Sequence, residues 1–395
     1  MPLLLVFAFA LLFTACAPRP APSEANPKPA ITVAQRPEAD DVGRYLAGLP
    51  VREDSAFREL VSVPAWQDHK REFDALWRKF DRERRPKLEQ FQRSELALVE
   101  LQPPTLFYPF GGPDILTATI FFPQARTYVL VGLEPPGSLP TKESIAKREA
   151  QDYFPRIRRT IFSLLYRSFF VTEAMDKQLR GQITDGVLPL LLIELVRAGY
   201  TVLGYQHVRL SSEGQLLAEE AARSTSASGQ NRGVVIEFRG DHSAVAQQLV
   251  YLSLNLHDSA FKTNAAFRTF MSLQAPVATF FKAASYLPHQ KGFALLRDYV
   301  LEISSGILQD DTGIPFRYWD SEKWEIQLYG KYTQPYGSFR YMVQPDLRKA
   351  YELGQAQVKP LGFYIGYGFG RAPSALIRAR KKSPGQKQGV APHMK

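Results

Sequence analysis

Residues 234–239, Val-Val-Ile-Glu-Phe-Arg, and residues 250–257, Val-Tyr-Leu-Ser-Leu-Asn-Leu-His, decide the fold of this 395-residue chain. In the first, Val234, Ile236 and Phe238 alternate with Val235, Glu237 and Arg239. In the second, Val250, Leu252, Leu254 and Leu256 alternate with Tyr251, Ser253, Asn255 and His257. A period of two belongs to a strand, because successive side chains leave opposite faces. Polar groups recurring on the alternate positions predict an antiparallel sheet with one solvated face.

Outward from these strands, the C-terminal part reads the same way. Residues 306–310, 314–319, 324–329 and 338–343 are strand-like, and Asp311-Thr312-Gly313 and Gln334-Pro335-Tyr336-Gly337 supply turn chemistry, so an antiparallel meander is expected, with 361–368 as a last strand. Residues 116–122 and 126–133 are β-rich runs around Pro123-Gln124-Ala125, which predicts a hairpin.

The helices come in separate blocks. Phe73, Leu76, Trp77 and Phe80 are spaced for one face of a helix over 67–85, and Pro86 restarts it. Further helices are expected over 141–180, 187–198, 259–285 and 290–304. The run Leu188 to Val196 is apolar enough to be buried and too short to span a bilayer. Hairpins and segregated helices together predict an α+β fold, with a mixed, mainly antiparallel sheet, rather than a doubly wound parallel one. The helix-to-strand stretch Leu195 to Tyr205 has no GxGxxG before it and carries no nucleotide-binding argument.

At the other end of the chain, residues 3–13 are apolar and lead to Phe13-Thr14-Ala15-Cys16, the single cysteine. One thiol forms no intramolecular disulfide and no CxxC or Cys-rich metal site. The segment resembles a bacterial lipoprotein signal, in which small residues precede a cysteine that is diacylated and becomes the new N-terminus. That resemblance implies a signal peptide over 1–15, a lipid attachment at Cys16, and retention at the cell envelope, with Ala17 favouring the outer membrane. Residues 16–40 hold Pro18, Pro20, Pro22, Pro27, Pro29 and Pro37 and read as an extended tether.

The remainder divides into a helical segment over 41–100, an α+β domain over 101–370 and a basic flexible tail over 371–395. The net charge is +10, and the tail carries seven basic and no acidic residues, leaving +3 for everything before it. A nearly neutral body gives no ground to expect nucleic-acid binding; the tail suits anionic lipid.

Chemistry is less legible. The six histidines form no HExxH or other paired spacing, so no metal and no cofactor are expected. The SxxK spacings at Ser144–Lys147 and Ser259–Lys262 lack a following KTG. The aromatic, glycine-rich loop Phe107-Tyr108-Pro109-Phe110-Gly111-Gly112-Pro113-Asp114 is a candidate cleft wall with Asp114 as its acid, lacking the basic residue and following helix of a phosphate loop. His257 and Asp258 end one strand, and Asp311 and Asp320 flank one hairpin, giving candidate carboxylate and imidazole groups for a hydrolase. Nine aromatics lie in the 26 residues from 316 to 341, where an average of 12% predicts about three. Tyr318, Trp319, Tyr329 and Tyr336 are therefore expected as a stacking surface for a glycan or an envelope protein. Partner binding by a lipid-anchored envelope protein is the first functional expectation, and a periplasmic or surface hydrolase the alternative.

Overall fold

The computed structural model describes residues 31, 33–97, 101–146, 150–167, 186–219, 231–240, 243–335, 337–354, 357–368 and 374–383. Cys16, most of the proline-rich tether, Tyr336 and the chain after residue 383 lie outside these residues. Residues 31–395 form one compact unit.

The strands are β1 (Thr105–Tyr108), β2 (Thr127–Gly132), β3 (Tyr200–Leu210), β4 (Leu216–Ala218), β5 (Arg232–Gly240), β6 (Gln247–Ser253), β7 (Val277–Phe281), β8 (Ser304–Asp310), β9 (Trp324–Gly330) and β10 (Ala375–Lys381). They form one sheet in the order β4-β3-β5-β6-β2-β1-β7-β8-β10-β9. The fold is α+β, with a mixed sheet in which antiparallel ladders outnumber parallel ones by five to four.

The pair that decides the fold behaves as expected in register. Val234 lies opposite Tyr251 and Ile236 opposite Leu249, in an antiparallel ladder. Its alternation, however, separates one core from another rather than core from solvent. Val234, Ile236, Phe238 and Tyr251 pack into the layer on one face, and Val235, Val250 and Leu252 into the layer on the other. No solvated face remains there, because helices cover both sides and Tyr251 is fully buried.

The first layer contains α1 (Pro37–Leu46), α2 (Pro64–Glu83), α3 (Arg85–Phe91), α4 (Ile115–Phe121), α5 (Lys142–Ala146), α6 (Ala150–Phe162) and α7 (Leu188–Arg197). The second contains α8 (Asp258–Phe261), α9 (Ala265–Gln274) and α10 (Ala294–Ile303). A last helix, α11 (Pro345–Leu353), packs Leu347 and Tyr351 against Ile377.

In α2, Trp66, His69, Phe73, Trp77 and Phe80 fall on one stripe and are all buried. The helix ends before Pro86, and α3 begins at Arg85, since proline has no N–H to donate but fits a first turn. Because Trp66 donates to the Tyr45 carbonyl (2.9 Å) and Arg197 of α7 pairs with Asp74 (2.7 Å), the segment expected as a separate helical unit over 41–100 belongs to the same core. Helix α7 is apolar all round because it is buried all round, and no helix among the described residues is long and apolar enough to cross a membrane.

Three local expectations are corrected. Residues 116–122 are not a strand; 115–121 form α4, with the Asp114 side chain accepting the Thr117 N–H as its N-cap (3.1 Å). β2 consequently runs parallel to β1, and Pro123 to Ala125 is no hairpin turn. The C-terminal antiparallel meander consists of β8, β10 and β9, whereas 314–319 and 338–343 contain only the short 3₁₀ turns Phe316–Tyr318 and Gly337–Phe339. Its middle strand comes from the stretch expected to be a flexible tail: Leu376, Ile377 and Ala379 are buried, and Arg378 and Arg380 find Glu95 and Glu325. Charge counting hid an apolar alternation inside a basic segment.

The centre of the sheet is the feature that places a site. β6, β2, β1, β7 and β8 are all mutually parallel, and numbered among themselves in chain order they run 3-2-1-4-5. This is the winding set aside on sequence grounds, embedded between antiparallel flanks. The crossover after β1 uses α4 on one face, while that after β7 uses α10 on the other. Connections therefore diverge between β1 and β7, and the loops at their carboxyl ends leave a crevice there.

Candidate ligand-binding site

That crevice is a cleft of about 150 Å³. Its walls come from the carboxyl ends of four parallel strands: Phe110 to Asp114 after β1, Gly132 to Glu134 after β2, Leu254 to Leu256 after β6, and Lys282 to Ser285 after β7, with Phe293 and Leu164 beside them.

Its floor is a buried ion pair. Lys282 Nζ contacts Asp114 Oδ2, each side chain being 2% exposed, and also donates to Thr117 Oγ1 (3.1 Å). The same Asp114 oxygen accepts the Tyr108 hydroxyl (2.9 Å), whose own ionisation is pushed far up by burial and by the Asp114 charge. Asp114 thus holds a cation, a phenol and a helix N-terminus at once. Behind it, Glu194 of α7 accepts the Leu116 N–H (2.9 Å) and is fully buried. Burial, and then the neighbouring Asp114 charge, raises its pKa well above the ordinary carboxyl value, which holds it neutral.

The β1 loop is shaped by its glycines. Gly112 adopts φ +53°, open to glycine and strained for other residues, and its N–H donates to the Val131 carbonyl (3.3 Å). A Cβ on Gly132 would lie 2.5 Å from the Tyr251 hydroxyl, 2.7 Å from Glu134 Oε2 and 3.2 Å from Gly112 Cα. The bare backbone at Gly132 thus lets the β1 loop and the Glu134 carboxylate approach each other. Tyr251 donates to the Glu134 carbonyl (2.9 Å), fixing the turn that presents this carboxylate at the cleft.

The β7 loop is strained. Ala283, Ser285 and Tyr286 have φ values of +51°, +51° and +53°, each costing about 1–2 kcal/mol for a residue with a Cβ. What holds them is the end of β8. Asp310 Oδ2 accepts the Ala283 N–H (2.8 Å), and Thr312 Oγ1 accepts that of Ala284 (2.7 Å). Ser285, lifted into the cleft by this turn, meets the Tyr367 hydroxyl at 3.0 Å. Strain of this kind concentrates where a side chain is aimed at a ligand.

Of the residues expected to do chemistry, Asp114 alone lines the cleft. His257 Nδ1 meets the Ser259 hydroxyl (2.9 Å), and its ring stands edge-on to Phe293 behind the cleft wall. Asp258 caps α10 by accepting the Ala294 and Leu295 N–H groups, both at 3.0 Å. Asp311 accepts the Tyr286 hydroxyl beneath the strained loop, with its pKa pushed up to about 7 by burial and then by Asp310. Asp320 closes a surface turn with the Glu322 N–H (2.9 Å) and Lys323. The expected assembly of carboxylates and imidazole does not form.

The aromatic stacking surface also dissolves. Tyr329 is buried against Phe91, with its hydroxyl on Glu95 (2.7 Å). Trp319 packs edge-on to Trp324 in the second core. Tyr318 is exposed at its rim, but the Arg297 guanidinium lies 3.9 Å from its ring centroid. Aromatics concentrated in this stretch because three layers of packing meet there. Tyr336 is outside the described residues. No group of three or more His, Cys, Asp or Glu side chains fit to hold a metal occurs among the described residues.

Sequence reasoning missed Lys282, Glu134, Glu194, Tyr108 and Ser285. Two signals were present: Glu134 follows Gly112 by 22 residues at the end of a β-rich run, and Lys282 ends the apolar run 277–281. Comparison with protein-family models, with curated proteins and with solved structures returns no match to this chain.

Proposed function

We propose that the protein is a lipid-anchored component of the bacterial cell envelope whose folded body binds a small ribonucleoside-type ligand in the cleft between β1 and β7. The observation that carries this is the placement of Glu134. It stands at the carboxyl end of the second parallel strand, beside a glycine loop that follows the first, at the switch point of a 3-2-1-4-5 sheet. In open sheets wound this way, an acidic group about 20 residues beyond the glycine loop accepts the ribose hydroxyls, and the crevice outside the strand ends takes the nucleoside. Phe110, Leu254, Leu256 and Phe293 supply apolar wall for a flat base.

This replaces the aromatic surface as the favoured binding region and demotes the hydrolase alternative, whose imidazole is absent from the cleft lining. The anchor rests on the FTAC stretch at Cys16 and the proline-rich tether behind it.

Calorimetric titration of the protein with adenosine, guanosine, cytidine and uridine tests the ligand. At least one is expected to bind below about 1 mM, with Glu134→Gln and removal of the 2′-hydroxyl each weakening it roughly tenfold. Failure of all four would refute the reading. The anchor has its own test: Cys16→Ser should move the protein from the membrane to the soluble fraction, and an unchanged distribution would refute it.

A further inference from the structure

We infer that the cleft takes nucleosides whose 5′ substituent is neutral or cationic and rejects those carrying a 5′-phosphate. The inference rests on the ribonucleoside reading and adds the charge class of the ligand.

In sheets of this winding, a phosphate is ordinarily received by the free N–H groups of the glycine loop and of the helix that follows it. Here those donors are already taken up. Gly111 N–H donates to the Tyr108 carbonyl (3.3 Å), Gly112 to Val131 (3.3 Å), Asp114 to Gly111 (3.2 Å) and Ile115 to Pro113 (2.8 Å). The next two N–H groups, of Leu116 and Thr117, go to the carboxyl groups of Glu194 and Asp114. Two of the chain's own acids therefore sit where a phosphate would.

Across the cleft, the β7 loop repeats the arrangement. The Ala283 and Ala284 N–H groups are held by Asp310 and Thr312. The one cation among the described lining residues, Lys282, is already paired with Asp114 and bonded to Thr117. Arg84 lies nearby, but it does not line the cleft; its guanidinium donates to the Leu165 and Tyr364 carbonyls and lies over the Tyr364 ring. What faces the cleft without a paired cation is Glu134, which adds negative charge at the mouth. A dianionic group would enter a site with its donors occupied and a carboxylate beside it, losing its hydration without replacement. An ammonium or a neutral hydroxyl meets no such barrier.

The test is a charge series on one scaffold, using whichever nucleoside binds best. For adenosine, 5′-amino-5′-deoxyadenosine, adenosine and adenosine 5′-monophosphate are titrated into the wild-type protein at low and moderate salt. The expected order is cation at least as tight as neutral, with the monophosphate roughly tenfold or more weaker and the gap narrowing as salt rises. Equal or tighter binding of the monophosphate would overturn this inference while leaving the nucleoside reading intact. Binding of none of the three would overturn both. Because the series uses one unaltered protein, no outcome depends on a variant that fails to fold.

Discussion

Replacing Asp114 by Ala should be among the most damaging single changes in this chain, and the reason can be worked through bond by bond. The substitution leaves the ammonium of Lys282, 2% exposed, with Thr117 Oγ1 as its remaining printed partner. It also strands the Tyr108 hydroxyl and uncaps α4. A buried charge deprived of its counterion costs about 3–5 kcal/mol, and a lost N-cap about 1 kcal/mol. A net loss of about 4–5 kcal/mol follows, since the terms overlap. Lys282→Met keeps the aliphatic stem in place and leaves Asp114 with the Tyr108 and Thr117 bonds, so about 2–3 kcal/mol is expected. In the double variant no charge is stranded, and the cost should be about 3 kcal/mol rather than the sum of nearly 7. Urea unfolding followed by tryptophan fluorescence measures all four corners of this cycle. A coupling energy within about 0.5 kcal/mol of zero would refute the claim that Asp114 and Lys282 form one electrostatic unit.

Two further predictions concern the loops around the cleft. Gly132→Ala should push the β1 loop and Glu134 apart, because its Cβ would fall 2.5 Å from the Tyr251 hydroxyl; about 1–3 kcal/mol of stability and roughly tenfold in nucleoside affinity should be lost together, and unchanged affinity would refute the close-approach argument. Asp311→Asn should stabilise the protein at high pH only. Folding raises the Asp311 pKa from 3.8 to about 7, so the native state keeps a proton that the unfolded chain releases, and stability falls as pH rises through that window. The asparagine lacks this slope. Its advantage over wild type should be near zero at pH 4 and about 2 kcal/mol at pH 8, after discounting for the partial exposure of this side chain. An advantage independent of pH in urea titrations would refute the assignment.

The sequence made legible what depends on local pattern. The stripe Trp66-His69-Phe73-Trp77-Phe80, the break at Pro86 and the antiparallel pair β5 and β6 all follow from periodicity and proline chemistry, which tertiary contacts did not override. What it concealed depends on partners far away in the chain. The run Leu116-Thr117-Ala118-Thr119-Ile120-Phe121 has strand-like composition and is helical because Asp114 and Glu194, the latter 78 residues away from Leu116, satisfy its first N–H groups. The cleft was hidden for the same reason. Asp114 was visible as an acid in a glycine-rich loop, but Lys282 stood in a segment read as helix, and no spacing joins residues 168 positions apart.

The energetics of the two loops argue against a purely structural reason for the cleft. Stability alone would favour filling a switch-point crevice with apolar side chains and letting the β7 turn relax through glycine. Instead the chain holds three non-glycine residues in left-handed backbone and ties them to β8 with Asp310 and Thr312. It also buries a lysine–aspartate pair beneath the opening, where a hydrophobic pair of similar volume would be at least as stable. Both features cost folding free energy, and both face the same cleft. A surface selected only to dock a partner at the sheet edge needs neither. They become intelligible together if Asp114 fixes the glycine loop, Lys282 fixes Asp114, and the strained turn fixes Ser285, so that a small polar ligand meets groups already held in place.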